Sequence, residues 1–79
     1  MVNLVTTIAK EICDDPDQVE VTEIEGKTAS ILEVRVAKTD LGKMIGRQGA
    51  TAGAIRKIIY AASFKHHKRY NLEMLAHGE

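Results

Sequence analysis

The sequence predicts an α+β domain: a three-stranded mixed sheet with three helices packed on one face. The order is helix, strand, strand, short helix, helix, strand. Three observations carry this. Apolar residues repeat at helical spacing at Val5, Ile8, Ala9 and Ile12, and again at Ala52, Ile55, Ile59 and Ala62. β-rich runs with two-residue alternation lie between and after those stripes, most clearly ILEVRVA at 31–37. The 79 residues suffice for one domain at most.

Each element follows from local signals. Residues 2–13 read as a helix, with Leu4 and Cys13 widening its apolar stripe. Asp14-Asp15-Pro16-Asp17 ends it, because the residue before Pro disfavours the α region and carboxylates are unfavourable at a helix C-terminus. Residues 19–25, VEVTEIE, read as a strand of edge character whose alternation slips at Ile24. Gly26-Lys27 turns the chain into the stronger strand at 31–37, where Leu32, Val34 and Val36 share a face opposite Glu33 and Arg35. The two strands form an antiparallel hairpin.

Thr39-Asp40 offers an N-cap for a short helix over 41–45, with Leu41, Met44 and Ile45 pointing inward. A glycine turn follows. The next helix starts near 48–50 and runs to about residue 62. Gly53 inside it costs about 1 kcal/mol relative to Ala, and marks either a close packing contact or a tolerated glycine. SFKHHKRY at 63–70 is a basic connection. YNLEMLA at 70–76 alternates Tyr70, Leu72 and Met74 against Asn71, Glu73 and Leu75, and reads as the last strand; residues 77–79 read as a frayed end. A right-handed crossover makes that strand parallel to the second.

The formal net charge is zero, but it is unevenly spread. Residues 1–37 hold three basic side chains against eight acidic ones; residues 38–69 hold eight basic ones against Asp40 alone. The positive half surrounds the glycine turn, as expected of a surface that meets a polyanion. One cysteine excludes an internal disulfide, and Cys13 reads as a small core residue of a protein in a reducing compartment. No signal peptide and no membrane-length apolar run is evident, so the expected location is cytoplasmic.

Enzyme chemistry finds little support. His66-His67 lack metal-ligand spacing, Asp14, Asp15 and Asp17 lack the spaced pattern of a calcium loop, and Cys13 has no evident His partner. The turn Ile45-Gly46-Arg47-Gln48-Gly49 is different. Its glycines allow close backbone approach, and the helix start beyond it suits an anion such as phosphate. A Walker A loop would need Lys after the last glycine, where Ala50-Thr51 stand. A dinucleotide fingerprint would need Gly where Met44 stands.

The remaining pattern is G-x-x-G between two helices of a strand–helix–helix–strand unit. MIGRQGATAGAI at 44–55 resembles the signature of K-homology (KH) domains, modules whose GXXG loop clamps four backbone nucleotides. The element order resembles the type II, prokaryotic KH fold, and the resemblance covers the whole chain. LEVRVAKTDLGKMIGRQGATAGAIRKIIY at 32–60 is similar to the KhpA family of small bacterial single-KH proteins, with Gly53 as the departure.

That resemblance implies a narrow groove for single-stranded RNA. Gly46 and Gly49 would let the RNA backbone lie against the main chain, and Arg47 and Gln48 would contact phosphates. Lys43 and Lys38 would flank them, and N–H groups at the helix start, Ala50 and Thr51, would add to the anion site. Lys65, Lys68 and Arg69 would reach further phosphates from the loop after that helix. Ala52 and Ile55 would floor the groove or pack on the sheet, and Ile45 would anchor the turn in the core. With no Trp, and Phe64, Tyr60 and Tyr70 the only Phe or Tyr residues, extensive base stacking is not expected.

The family resemblance further implies RNA chaperoning or post-transcriptional regulation linked to cell elongation and division. It implies a homodimer, or a heterodimer with a larger KH-containing protein, and no cofactor, membrane or small-molecule substrate. The outer face of the second long helix, with Tyr60 and Arg56, is the candidate dimer surface. The competing reading is a protein-interaction module on a KH scaffold that binds little RNA.

Overall fold

The β-branched run in the middle of the chain makes the strand on which the others depend. In the computed structural model, which describes residues 1–78, β2 (Ala29–Val36) is the central strand of a three-stranded sheet. β1 (Glu20–Glu25) pairs with it antiparallel and β3 (Arg69–Ala76) pairs with it parallel. Strict alternation along β2 buries Ser30, Leu32, Val34 and Val36 on one face. Register carries that face across the sheet: Leu72 lies beside Leu32, and Ala76 beside Val36.

Three helices cover this face: α1 (Val2–Ile12), α2 (Lys38–Ile45) and α3 (Ala50–Ser63). Val5 and Ala9 of α1, Met44 of α2 and Ile55 and Ile59 of α3 are all buried, and with the β2 residues they make one core. The predicted order and sheet are therefore those observed. The slip at Ile24 also has its explanation. Glu23 takes the helix-side position beside Leu32, where its carboxylate accepts a hydrogen bond from Ser30 Oγ at 3.2 Å. Ile24 turns to the outer face opposite Ile31 and stays exposed.

Several open readings are decided, and some expectations need correction. Ala52 and Ile55 belong to the buried side of α3, so neither floors an open groove. Ile45 is exposed rather than inward: α2 buries Asp40 and Met44, one turn apart, and the next residue falls off that stripe. Gly53 marks no packing contact, since a Cβ there would meet nothing within 4 Å. The end at His77 is tied down. Its N–H donates to the Val36 carbonyl at 3.0 Å, and its Nε2 lies 2.6 Å from the Gln18 carbonyl oxygen. Glu79, also expected to fray, lies outside the described residues.

The expected cap at Thr39-Asp40 is replaced by something else. α2 begins three residues earlier than expected, at Lys38, without a side-chain cap. Asp40 sits in its first turn, 1% exposed, and its two carboxylate oxygens accept the backbone N–H groups of Asp14 and Asp15, both at 3.0 Å. Those two amides follow the end of α1, so Asp40 joins α1 to α2. The hydrogen bonds from Asp14 and then Asp15 hold its carboxyl below the usual aspartate value, with Lys43 adding in the same direction. Cys13 lies beside this junction. Burial pushes its thiol up, and the charges of Asp40 and Asp14 push it further, which leaves an inert protonated thiol.

A depressed carboxyl contributes stability above the unfolded value of about 4 and loses it as pH falls through the lower folded value. The urea midpoint should therefore fall between pH 5 and pH 2 more steeply, on the order of a few pH units of window, in the parent than in Asp40→Asn. The variant should be the less stable of the two at pH 7. Parallel curves for the two proteins would rule out Asp40 as the acid-sensitive joint.

Candidate nucleic-acid interface

The link between α2 and α3 is the most constrained backbone in the chain. Gly46 has φ 77° and ψ 173°, a region essentially restricted to glycine. Gln48 (φ 54°) and Gly49 (φ 77°, ψ 14°) are left-handed. The Gly46 amide closes α2 onto the Gly42 carbonyl at 2.8 Å, and the Gly49 amide closes the turn onto the Gly46 carbonyl at 3.1 Å. Arg47–Gly49 form a tight turn, non-helical at Gln48, from which the Arg47 and Gln48 side chains stand exposed.

The two glycines do different jobs. A Cβ on Gly46 would come within 2.7 Å of the Thr51 backbone nitrogen and would also strike the Thr51 side chain. Gly46 is thus required by the packing of α3 on the turn. A Cβ on Gly49 would meet nothing within 4 Å, so the space above it is open to an approaching ligand. Thr51 packs under Gly46, and the Ala50 amide is used by the Arg47 carbonyl. The helix-start amides of Gly49 and Ala50 are therefore spent inside the turn rather than offered to an anion, a cost of its tightness that spacing alone does not reveal.

The expected cations are scattered more widely than their positions in the chain suggest. Lys43 turns away towards the N-terminal acidic loop and makes an ion pair and hydrogen bond with Asp14, which raises its ammonium above the usual lysine value. Lys38 stands at the other end of α2, its stem near Gly78. Lys65 is exposed and Lys68 half-buried in the turn after α3. Arg69 pairs with Ala29 at the start of β3, on the sheet face opposite the helices. Asp40, the one acid among residues 38–69, is buried, so this segment exposes no carboxylate.

Sequence reasoning missed a cleft between α3 and the edge strand β3. It holds about 400 Å³ and is lined by Arg56, Lys57, Ile59 and Tyr60 from α3 and by Tyr70, Asn71 and Leu72 from β3. Arg56 reaches across it, with its Nη2 3.5 Å from the Leu72 carbonyl oxygen. Arg56 and Tyr60 line this groove and stay exposed, as does Ile58 on α3. The residues off the apolar stripe of α3 were the available signal, but which neighbour they face depends on where β3 lies. Among the described residues, no group of three or more His, Cys, Asp or Glu is placed to hold a metal ion. No helix there is long and apolar enough to cross a membrane.

The α-β-β-α-α-β order, with a G-x-x-G turn between α2 and α3, defines a type II KH domain. Within that class the chain belongs to the KhpA/KhpB KH-domain family, whose model matches residues 2–74. It is similar to proteins named RNA-binding protein KhpA in several organisms. That of Clostridium acetobutylicum is 48% identical over 75 residues, covering 95% of this chain and all of the relative. That of Caldanaerobacter subterraneus is 49% identical with the same coverage. That of Aquifex aeolicus is 47% identical over 73 residues, 92% of each chain. No solved structure matches significantly.

Alanine at the two turn glycines should separate their roles. Gly49→Ala should lose about 1–2 kcal/mol, the cost of a left-handed Cβ. Gly46→Ala should lose more, because a steric collision of about 1–3 kcal/mol adds to the backbone strain. Urea denaturation measures both, and equal losses would contradict the packing assigned to Gly46.

Proposed function

We propose that this protein binds single-stranded RNA, with the G-x-x-G turn holding the sugar–phosphate backbone. The observation that carries the reading is the open approach over Gly49 beside exposed Arg47 and Gln48, in a segment that exposes no carboxylate. Gly49 offers the close backbone contact, and Arg47 and Gln48 supply phosphate contacts at the turn. Lys38, Lys65, Lys68 and Arg69 add longer-range attraction around it. Lys43 contributes less, since Asp14 already neutralises it. The names of the relatives, RNA-binding proteins, support the same reading.

One short groove gives modest affinity, and a second linked groove raises avidity without new contacts. We infer that the working form pairs with a second KH domain, either another copy or a larger KH-containing protein. Ile58, exposed on α3, supports this. An RNA chaperone or post-transcriptional regulator of cell elongation and division, acting in the cytoplasm without a cofactor, fits a small binding protein with weak sequence preference. A protein-interaction module that binds little RNA is the alternative, favoured by the same exposed Ile58.

Arg47→Asp with Gln48→Asp should reduce RNA binding in a gel-shift assay by at least about 100-fold, since two phosphate contacts become repulsive. The thermal melt should stay close to the parent's, because both side chains are exposed. Parent affinity should also fall steeply with salt. Undiminished binding by the double variant would favour the protein-interaction reading. For the pairing, light scattering should find the parent above monomer mass at high protein concentration and Ile58→Glu at monomer mass.

A further inference from the structure

Lys43 stands on α2 three residues before Gly46. Positions three apart are neighbours on a helix surface, about 5–6 Å from each other, so Lys43 lies close to where the chain enters the turn. Its ammonium nevertheless serves the N-terminal acidic loop, where it donates to a carboxylate oxygen of Asp14. The grip between loop and helix is reciprocal. Asp40, one turn earlier on α2, accepts the backbone N–H groups of Asp14 and Asp15 at 3.0 Å each. Asp14 in return offers its carboxylate to Lys43. The first contact fixes the loop backbone and so sets the Asp14 side chain beside Lys43. Asp40 is buried, whereas the pair it positions faces water: the Asp14 side chain is 76% exposed and that of Lys43 47%. An ion pair so exposed is weak and gives way to a competing anion.

We propose that Asp14 is an intramolecular competitor of RNA phosphate: it occupies the Lys43 ammonium, and so weakens the hold of the glycine turn on RNA and shortens the life of the complex. The proposal rests on the RNA-binding reading above and adds a restraint on that same site. To an ammonium, a carboxylate and a phosphate offer the same thing, an anionic oxygen that accepts a charge-assisted hydrogen bond. Lysine carries its charge on a flexible four-carbon stem, so the ammonium exchanges one oxygen for the other by rotation of the stem. Residues 38–69 expose no carboxylate, so a competitor for their cations has to come from another segment. The loop after α1 supplies it, held in place by Asp40. A purely structural role is a poor account of the pair. Asp40 already joins α1 to α2 through two hydrogen bonds, and exposed pairs add little to stability. Phosphate contacts carry no sequence information, so the restraint acts on all single strands alike.

The test is binding of an end-labelled single-stranded uridylate oligonucleotide, followed by fluorescence anisotropy and stopped flow. Asp14→Asn keeps the backbone N–H that Asp40 binds and removes only the charge. It should bind about threefold more tightly than the parent, the scale of an exposed ion pair. Its log–log salt slope should steepen by about 0.7, one more phosphate contact to a single strand. The gain should lie in slower dissociation, as for a contact, because a charge acting at long range changes association instead. Asp17→Asn makes the same charge change in the same loop and should gain less. Lys43→Met should cost about threefold more affinity in the Asp14→Asn background than in the parent. Equal costs in the two backgrounds would overturn the proposal. So would equal gains from Asp14→Asn and Asp17→Asn, or a gain confined to the association rate. An Asp14→Asn melt several degrees below the parent's, with RNA affinity unchanged, would make the pair a structural staple and overturn it too. A parent that fails to bind the oligonucleotide even at low salt would instead defeat the RNA-binding reading from which the proposal starts.

Discussion

The parallel pairing of β2 with β3 governs this architecture. Two parallel neighbours cannot be joined by a tight hairpin; the chain must travel back over a face of the sheet before the second strand can start. Here that return journey is α2, the glycine turn and α3. It covers the apolar face of β2, supplies Met44, Ile55 and Ile59 to the core, and needs a sharp reversal between its two helices. Gly46 makes the reversal possible, because any Cβ there would collide with Thr51. Exposed Arg47 and Gln48 thus sit in the most constrained part of the connection. A turn that must be tight for reasons of packing leaves a bare backbone at Gly49.

A second feature depends on the same crossover. Asp40, in the first turn of α2, accepts two amides from the segment after α1. The contact lets the acidic N-terminal half of the chain dock onto its basic half while burying the one carboxylate of that half. The cations of residues 38–69 are thereby left with no exposed carboxylate in their own segment. Lys43 finds one beyond it: drawn to Asp14, it is spent at the junction between the halves.

Much of the fold was legible because its signals are local. Alternation in ILEVRVA identified the buried face of β2, and helical spacing identified the core residues of α1 and α3. The G-x-x-G turn was legible because backbone geometry that only glycine tolerates leaves its mark in residue type. Errors arose where a residue's partner is distant in the chain. Asp40 looks like a cap for its own helix, yet its partners lie 26 and 25 residues earlier. Ile45 looks like core by its spacing from Leu41, but the helix ends there and the sheet does not reach it. Arg56 and Tyr60 are solvent-facing as their spacing suggests, but only β3 in place beside them makes that surface a cleft.

By itself, then, the sequence determined the elements, their order, the buried face of the sheet and the position of the phosphate-compatible turn. These depend on periodicity, on β-branched and apolar content, and on glycine. Tertiary structure alone decided which cations remain free, which glycine is steric and which is open, and that Tyr60 and Tyr70 meet at one cleft. The physical reason is that such facts concern distances between elements. Those distances are set by how α3 settles against the edge strand, and no local pattern encodes them.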